Sequence, residues 1–275
     1  MTLTIIQVDA FTNRPFSGNP AAVCVTDSPL EDDLMQAIAA EMNLSETAFL
    51  YPLKGEPVDG GYSLRWFTPA TEVDLCGHAT LASAHVLWEE GYLSPDEPAR
   101  FQTKSGWLGA KQTQKGTDTW IEMDFPAQPV ETTYVMPALI KALCCGGNIR
   151  SVAKNETNYL VEIQSEKALR SLQPDFDAVA KLPTQGLIAT AVAEGESYDF
   201  ASRYFAPSVG INEDPVTGSA HSSLAPFWRE KLGKTTMLAQ QVSERGGVLH
   251  VQCMENDRVL ISGQAVTVLK AELIG

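Results

Sequence analysis

Short segments that alternate between apolar and polar residues, or run apolar, recur along the chain at 3–11, 21–26, 47–51 and 62–67. They predict strands. Between the second and third of these, residues 31–42 carry Leu34, Ile38 and Met42 at helical spacing behind acidic residues, the pattern of an amphipathic helix. Residues 12–20 are rich in turn formers and predict a loop. Residues 43–46 end the helix, so Glu46 falls at a helix-to-strand junction. A longer helix is predicted at 77–90, with Leu81, Ala84, His85 and Trp88 on one face and Gly91 where a C-terminal glycine belongs. Strands follow at 100–103, 107–112 and 120–125.

Pro126 to Pro129 suits a crossover. Beyond it the pattern predicts helices at 137–143, 166–170 and 175–180. It predicts strands at 149–153, 159–163, 186–193 and 198–205. A second long helix is predicted at 218–232, kinked or restarted at Pro226. Strands at 237–242, 248–254, 258–262 and 265–269 close the chain, the last expected to pair back with the first half.

One motif occurs twice, half a chain length apart. Arg65-Trp66-Phe67-Thr68-Pro69 leads through Asp74 to Gly77-His78-Ala79-Thr80, and Arg203-Tyr204-Phe205-Ala206-Pro207 leads through Asp214 to Gly218-Ser219-Ala220-His221. Both read strand, turn, glycine, helix, with three more residues in the second turn, and Asp74 and Asp214 take matching places. Two copies at that period suggest a duplicated α/β unit rather than a solenoid. Facing each other, the two glycine-led helix starts would aim unpaired N–H groups at one cleft, a site for an anion such as a carboxylate or an enolate-like intermediate.

Composition narrows the function. The 275 residues carry 20 basic against 34 acidic side chains, a net charge of −14 with no basic run, which argues against nucleic acid or an anionic membrane as partner. No apolar stretch reaches membrane-spanning length, and an acid at position 9 without basic residues before it does not fit a signal peptide. The five cysteines, Cys24, Cys76, Cys144, Cys145 and Cys253, have no framework or zinc spacing. Free thiols in a cytoplasmic compartment are expected.

Few residues stand out as chemistry. Glu46 lies among apolar and small neighbours, a setting that suits a proton-exchanging carboxylate as well as a capping one. His78 opens a helix, where the N-terminus disfavours imidazolium; it reads as a neutral donor or relay, or as a polar first-turn residue. His85 reads as packing, and no third ligand joins it and His78 to make a metal site. Asp214, before Pro215, suits an Asx turn or a residue that holds an imidazole or amine. Cys76 precedes Gly77, where a helix start lowers a thiol pKa, but its counterpart before Gly218 is Thr217, which disfavours racemisation by two facing thiols.

Four motifs, taken together and in order, resemble the phenazine-biosynthesis isomerase (PhzF-like) family. They are Phe16-Ser-Gly-Asn-Pro20, Asn43-Leu-Ser-Glu-Thr47, Asp74-Leu-Cys-Gly-His-Ala-Thr80 and Glu213-Asp-Pro-Val-Thr-Gly-Ser219. The resemblance implies an α+β fold like that of diaminopimelate epimerase: two pseudo-symmetric lobes, each a curved, mostly antiparallel sheet around a central helix, with the active site between them. The lobes would span 1–127, with 264–275 returning, and 128–263. It implies a homodimeric, cofactor-independent and metal-free isomerase that moves a proton on a small anionic carboxylate resembling dihydro-3-hydroxyanthranilate. Glu46, His78 and Asp214 fall on its catalytic positions, and Asn19, Ser45, Gly77, Gly218 and Ser219 on substrate-binding ones. The loops 53–61 and 194–199 would select the substrate. Two other readings remain: an epimerase or racemase of an amino or hydroxy acid using Glu46 with Cys76, and a small-molecule binding protein without turnover.

Overall fold

The computed structural model describes residues 2–53 and 60–274; of the loop 53–61, residues 54–59 lie outside the described residues. The chain forms two compact units, Met1–Asp124 with Ser262–Gly275, and Phe125–Ile261. Both are dominated by sheet with few helices, an α+β architecture.

In the first unit, β1 (Thr2–Ala10) pairs antiparallel with β2 (Asn19–Val25), Ala10 opposite Asn19. Helix α1 (Asp32–Met42) crosses over to β3 (Glu46–Pro52), which lies parallel to β2 with Ala21 beside Glu46. Strand β4 (Tyr62–Phe67) returns antiparallel to β3, and the short β5 (Glu72–Val73) folds back on β4. Helix α2 (Gly77–Glu89) then crosses over to β6 (Ala99–Thr103), parallel to β4. A meander of β7 (Gly106–Lys115) and β8 (Asp118–Pro126) follows.

Period-two alternation sorts the strand residues between the two helices. Ala22, Cys24, Phe49 and Phe67 face α1 and pack on its Met35, Ile38 and Ala39. Leu34, expected inside, is 37% exposed; Met35 takes the inner stripe, which runs i, i+3, i+4. Residues of the opposite parity face α2, which is buried on every side rather than along one face, from His78 to Trp88. Its small residues, Ala79, Ala82, Ser83 and Ala84, let the strands approach, and each large one buried, such as Leu81 or Leu87, contributes about 1.5–3 kcal/mol.

The second unit begins with β9 (Glu131–Thr133), α3 (Pro137–Leu143), β10 (Ile149–Lys154) and β11 (Asn158–Ile163). Helices α4 (Glu166–Arg170) and α5 (Phe176–Ala180) lead to β12 (Gly186–Val192), β13 (Phe200–Ala206) and β14 (Ile211–Asp214). Then come α6 (Gly218–Leu232), β15 (Thr236–Gln241), β16 (Gly247–Cys253) and β17 (Arg258–Gly263). The final strand, β18 (Ala265–Ile274), belongs to the first unit and runs antiparallel to β1 from Ala10 to Thr2, longer than the alternation at 265–269 predicts.

The pairing of β10 to β16 repeats that of β1 to β7, with parallel steps at β11–β12 and β13–β15 where the first unit has β2–β3 and β4–β6. The repeated arginines explain the duplicated motif. Arg65 grips both carboxylate oxygens of Glu72 at 2.7 and 2.9 Å, and Arg203 grips those of Glu213 at 2.7 and 2.8 Å. Each guanidinium also lies over the phenylalanine two residues on, at 5.1 Å for Phe67 and 5.0 Å for Phe205.

The structure corrects three expectations. Trp66 pairs with Val73, and its counterpart Tyr204 pairs with Asp214, so Asp214 matches Val73 and not Asp74. Asp74 is exposed, and its carbonyl accepts from Ser105 Oγ. Helix α6 does not restart at Pro226 but continues through it; the Ser222 carbonyl, which loses its helical partner there, accepts the N–H of Gln128 at 3.0 Å. Tyr198 lies before its strand, not in it: its hydroxyl and the Glu194 N–H both bond Glu166, tying the loop 194–199 onto α4.

Candidate active site

In the first unit the turn after β1 sets Asn19. Gly18 has φ +65°, and a Cβ there would lie 2.2 Å from the Ala10 carbonyl oxygen, so only glycine fits. Asn19 then starts β2 on the parity of Ala21, which the parallel ladder sets beside Glu46. Glu46 is placed from its other side by Asn43, whose left-handed conformation ends α1. Both side chains therefore point to the α2 face, where His78 sits in the first turn of the helix.

All three residues are buried. His78 Nε2 lies 3.1 Å from Glu46 Oε2, and His78 Nδ1 lies 3.2 Å from Asn19 Nδ2 and 3.5 Å from Cys76 Sγ. When the ring is neutral, the Asn19 amide faces Nδ1 as a donor, which puts the one ring proton on Nε2, facing the carboxylate. The Glu46–His78 contact is close but not aligned as a hydrogen bond, so Glu46 Oε2 and His78 Nε2 are both buried with their hydrogen-bonding capacity unspent.

Burial alone lowers the basicity of His78, but the Cys76 sulfur and the Glu46 carboxylate outweigh it and hold the imidazole well above 6.5. Burial, reinforced by the Glu46 carboxylate, pushes the Cys76 thiol up to about 11. Two expectations drawn from the helix N-terminus thus give way. The imidazole is drawn towards protonation, and the thiol is made less acid; burial and a carboxylate at contact distance outweigh half a helix charge.

Glu46, Cys76 and His78 have donor atoms within 4.8 Å of one another, as a metal site requires. The histidine, however, meets the sulfur with Nδ1 and the carboxylate with Nε2. One ion cannot lie in the ring plane at both nitrogens, so the arrangement fits proton relay rather than a cation. Gly77 is half-buried at the start of α2, and Ser45, also half-buried, precedes Glu46 in the turn.

In the second unit Asp214 is buried and accepts from Thr217 Oγ1 at 2.5 Å. Gln241, which carries no local signal in the sequence, fixes this turn. Its amide nitrogen donates to the Asp214 carbonyl at 2.7 Å, and its oxygen accepts the Thr217 N–H at 2.9 Å. Gly218 is buried and Ser219 exposed at the start of α6. The carbonyl before each helix is bound by the side chain four residues on: Cys76 by Thr80 Oγ1 at 2.6 Å, Thr217 by His221 Nδ1 at 2.8 Å. That shared bond gives the last residue of each repeated motif its task.

The register gives Glu46 a counterpart, Gly186: Thr47 pairs with Phe67 as Leu187 pairs with Phe205. A Cβ on Gly186 would lie 2.1 Å from the Tyr204 hydroxyl and 2.5 Å from Asn158 Oδ1, so the space a second carboxylate needs is filled. His78 is matched by Ser219, and Cys76 by Thr217. The second unit keeps the scaffold and has Gly186, Ser219 and Thr217 where the first has Glu46, His78 and Cys76.

Comparison with known proteins agrees with this architecture. The chain belongs to the phenazine biosynthesis-like (PhzC-PhzF) family, whose model matches residues 8–271. It is an isomerase of that family: it is 52% identical over 275 residues to an uncharacterised isomerase of Halalkalibacterium halodurans, covering 100% of this chain and 99% of the relative. The crystal structure of a PhzF-family phenazine biosynthesis protein from Enterococcus faecalis superposes with a TM-score of 0.91 at 41% identity, covering 100% of both chains. A hydroxyproline epimerase from Agrobacterium vitis shares the fold alone, with a TM-score of 0.61 at 12% identity over 99% of this chain and 92% of that one. The α+β fold is thus the diaminopimelate epimerase-like one. Among the described residues no helix is long and apolar enough to cross a membrane.

Proposed function

We propose that this isomerase moves a proton between two carbons of a small carboxylate-bearing substrate, with Glu46 as the single acid/base. The observation that carries the reading is the buried Glu46 Oε2 facing His78 Nε2 at 3.1 Å, both without a hydrogen bond. An unspent buried acceptor is costly unless it is used, and catalytic contacts tighten only when substrate arrives. In the step proposed, a C–H bond next to a conjugated system breaks and its proton passes to Glu46. The electron pair enters the conjugated system as an enolate-like anion, and Glu46 returns the proton to a second carbon on the same face. The proton on His78 Nε2 steadies the charge as it shifts, and Asn19 keeps that proton in place by occupying Nδ1.

Asp214, on a catalytic position of the family motif, is assigned with His78 to orienting the substrate, and Gly218 and Ser219 to binding it, with backbone N–H groups at the helix starts, Gly77 included, taking the carboxylate. Ser45, beside Glu46, is assigned to the same role. The family's name points to a cyclic dihydro-hydroxyanthranilate as the substrate to try first. An epimerase that uses Cys76 is disfavoured, because burial holds that sulfur as a thiol.

The test is deuterium exchange in heavy water, followed by NMR with dihydro-3-hydroxyanthranilate and a panel of cyclic and acyclic carboxylic acids. Glu46→Gln is expected to lower exchange and turnover by about 10²–10⁴-fold while leaving the melting temperature close to wild type. Full turnover by Glu46→Gln refutes the reading.

A further inference from the structure

A second place on the first unit has the makings of a site, away from the residues above. A hollow of about 330 Å³ opens beside the C-terminal half of α2, between β7, β8 and the start of β18. That volume suits a small molecule. Trp88 and Ile121 supply apolar wall, and His85, Glu89, Gln112 and Gln264 supply polar groups.

The polar groups are only partly engaged. Thr267 Oγ1 lies 3.2 Å from His85 Nε2 and donates to Glu89 Oε2. This is a chain from imidazole to hydroxyl to carboxylate, the reverse of what activates a hydroxyl nucleophile, so binding rather than covalent chemistry is indicated. Glu89 Oε1 and the Gln112 amide have no hydrogen-bond partner among the described residues. Gln264 spends only its nitrogen, at 3.5 Å from the Thr119 carbonyl. The indole N–H of Trp88 is taken by the Glu97 carbonyl at 2.9 Å, which leaves Trp88 to act through its ring.

Charge selects the ligand. Neither lysine nor arginine lines the hollow. Burial lowers the basicity of His85, against the pull of Glu89, so the imidazole is neutral at pH 7. The one formal charge in the lining is the Glu89 carboxylate, exposed at its edge, and the Gln112 and Gln264 amides and Trp88 are among the other lining groups. Such a set meets an ammonium head with acceptors and its alkyl body with apolar surface.

We propose that this hollow is a binding site for a small organic ammonium ion, held by Glu89, Gln112 and Gln264 against Trp88. The test is calorimetric titration of the full chain at pH 7.5 with n-butylammonium chloride, with n-butanol and sodium butyrate as uncharged and anionic matches. One saturable ammonium site per chain is expected, with no saturable binding of the other two. Glu89→Gln should weaken it at least tenfold. Gln112→Trp, which fills the hollow from a half-buried strand position and keeps the charge, should abolish it. Glu46→Gln should leave it unchanged, which separates this site from the proposed catalytic one. Absence of saturable ammonium binding, equal binding of butanol, or undiminished binding by a folded Glu89→Gln or Gln112→Trp protein overturns the proposal.

Discussion

His221 offers a way to measure what burial does to this scaffold. Its ring is wholly buried and stacked on Phe200 at 6.0 Å between centroids. Nδ1 donates to the Thr217 carbonyl, and Nε2 makes no hydrogen bond. An imidazolium there would carry a second N–H with nowhere to go, and burial pushes the pKa down from 6.5 to about 4. The native state therefore refuses a proton that the unfolded chain accepts below pH 6.5. Stability is intact above 6.5 and falls as pH drops from 6.5 to about 4. The full loss is about 3 kcal/mol at 1.36 kcal/mol per unit, and about 2 kcal/mol is already gone at pH 5. His221→Gln has no such proton to refuse. Urea unfolding followed by far-ultraviolet circular dichroism from pH 7.5 to 4.5 should find the variant less stable at neutral pH, with the gap closing by about 2 kcal/mol at pH 5. Parallel stability curves for the two proteins would refute the assignment of a neutral, proton-excluding imidazole to the start of α6.

Two further outcomes are expected. Iodoacetamide should label exposed Cys144 in the native protein and reach buried Cys76, held as a thiol with its pKa at about 11, only on unfolding; peptide mass spectrometry reads the order, and early labelling of Cys76 would contradict its burial. Gly18→Ala should destabilise the chain by at least about 1–3 kcal/mol, because a side chain meets both a positive φ and the Ala10 carbonyl; an unchanged thermal midpoint would show that the turn can relax.

The duplication is legible in the sequence because its cause is local. An arginine, the phenylalanine two residues on and the glutamate of the returning strand must recur together for the ion pair to form in each unit, and a glycine must start each long helix. The candidate residues Glu46 and His78 are legible as types in suggestive places. Their meeting is not, because it depends on a ladder that sets Ala21 beside Glu46 and on Asn19 reaching a histidine far along the chain. Strands as short as β5 and β14 contain too few residues to display a period, so the motif sets Asp214 against Asp74 while the strand pairing sets it against Val73. Helix spacing marks residues 31–42 as a helix, yet Leu34 and Met35 are equally apolar, and only the sheet beneath decides which is covered. Gln241 is silent for a similar reason: its partners are the backbone groups of a turn more than twenty residues away.

The plug formed by Tyr204 and Asn158 where a second carboxylate would stand bears on the kinetics. An enzyme with two opposed bases ends each cycle in the mirror of its starting protonation state and must reset before it can turn over again. At high substrate that reset becomes the slow step. A carboxylate that both removes and returns the proton finishes as it began. On the role proposed for Glu46, and with the matching position at Gly186 filled, a cycle built on that one carboxylate needs no return step.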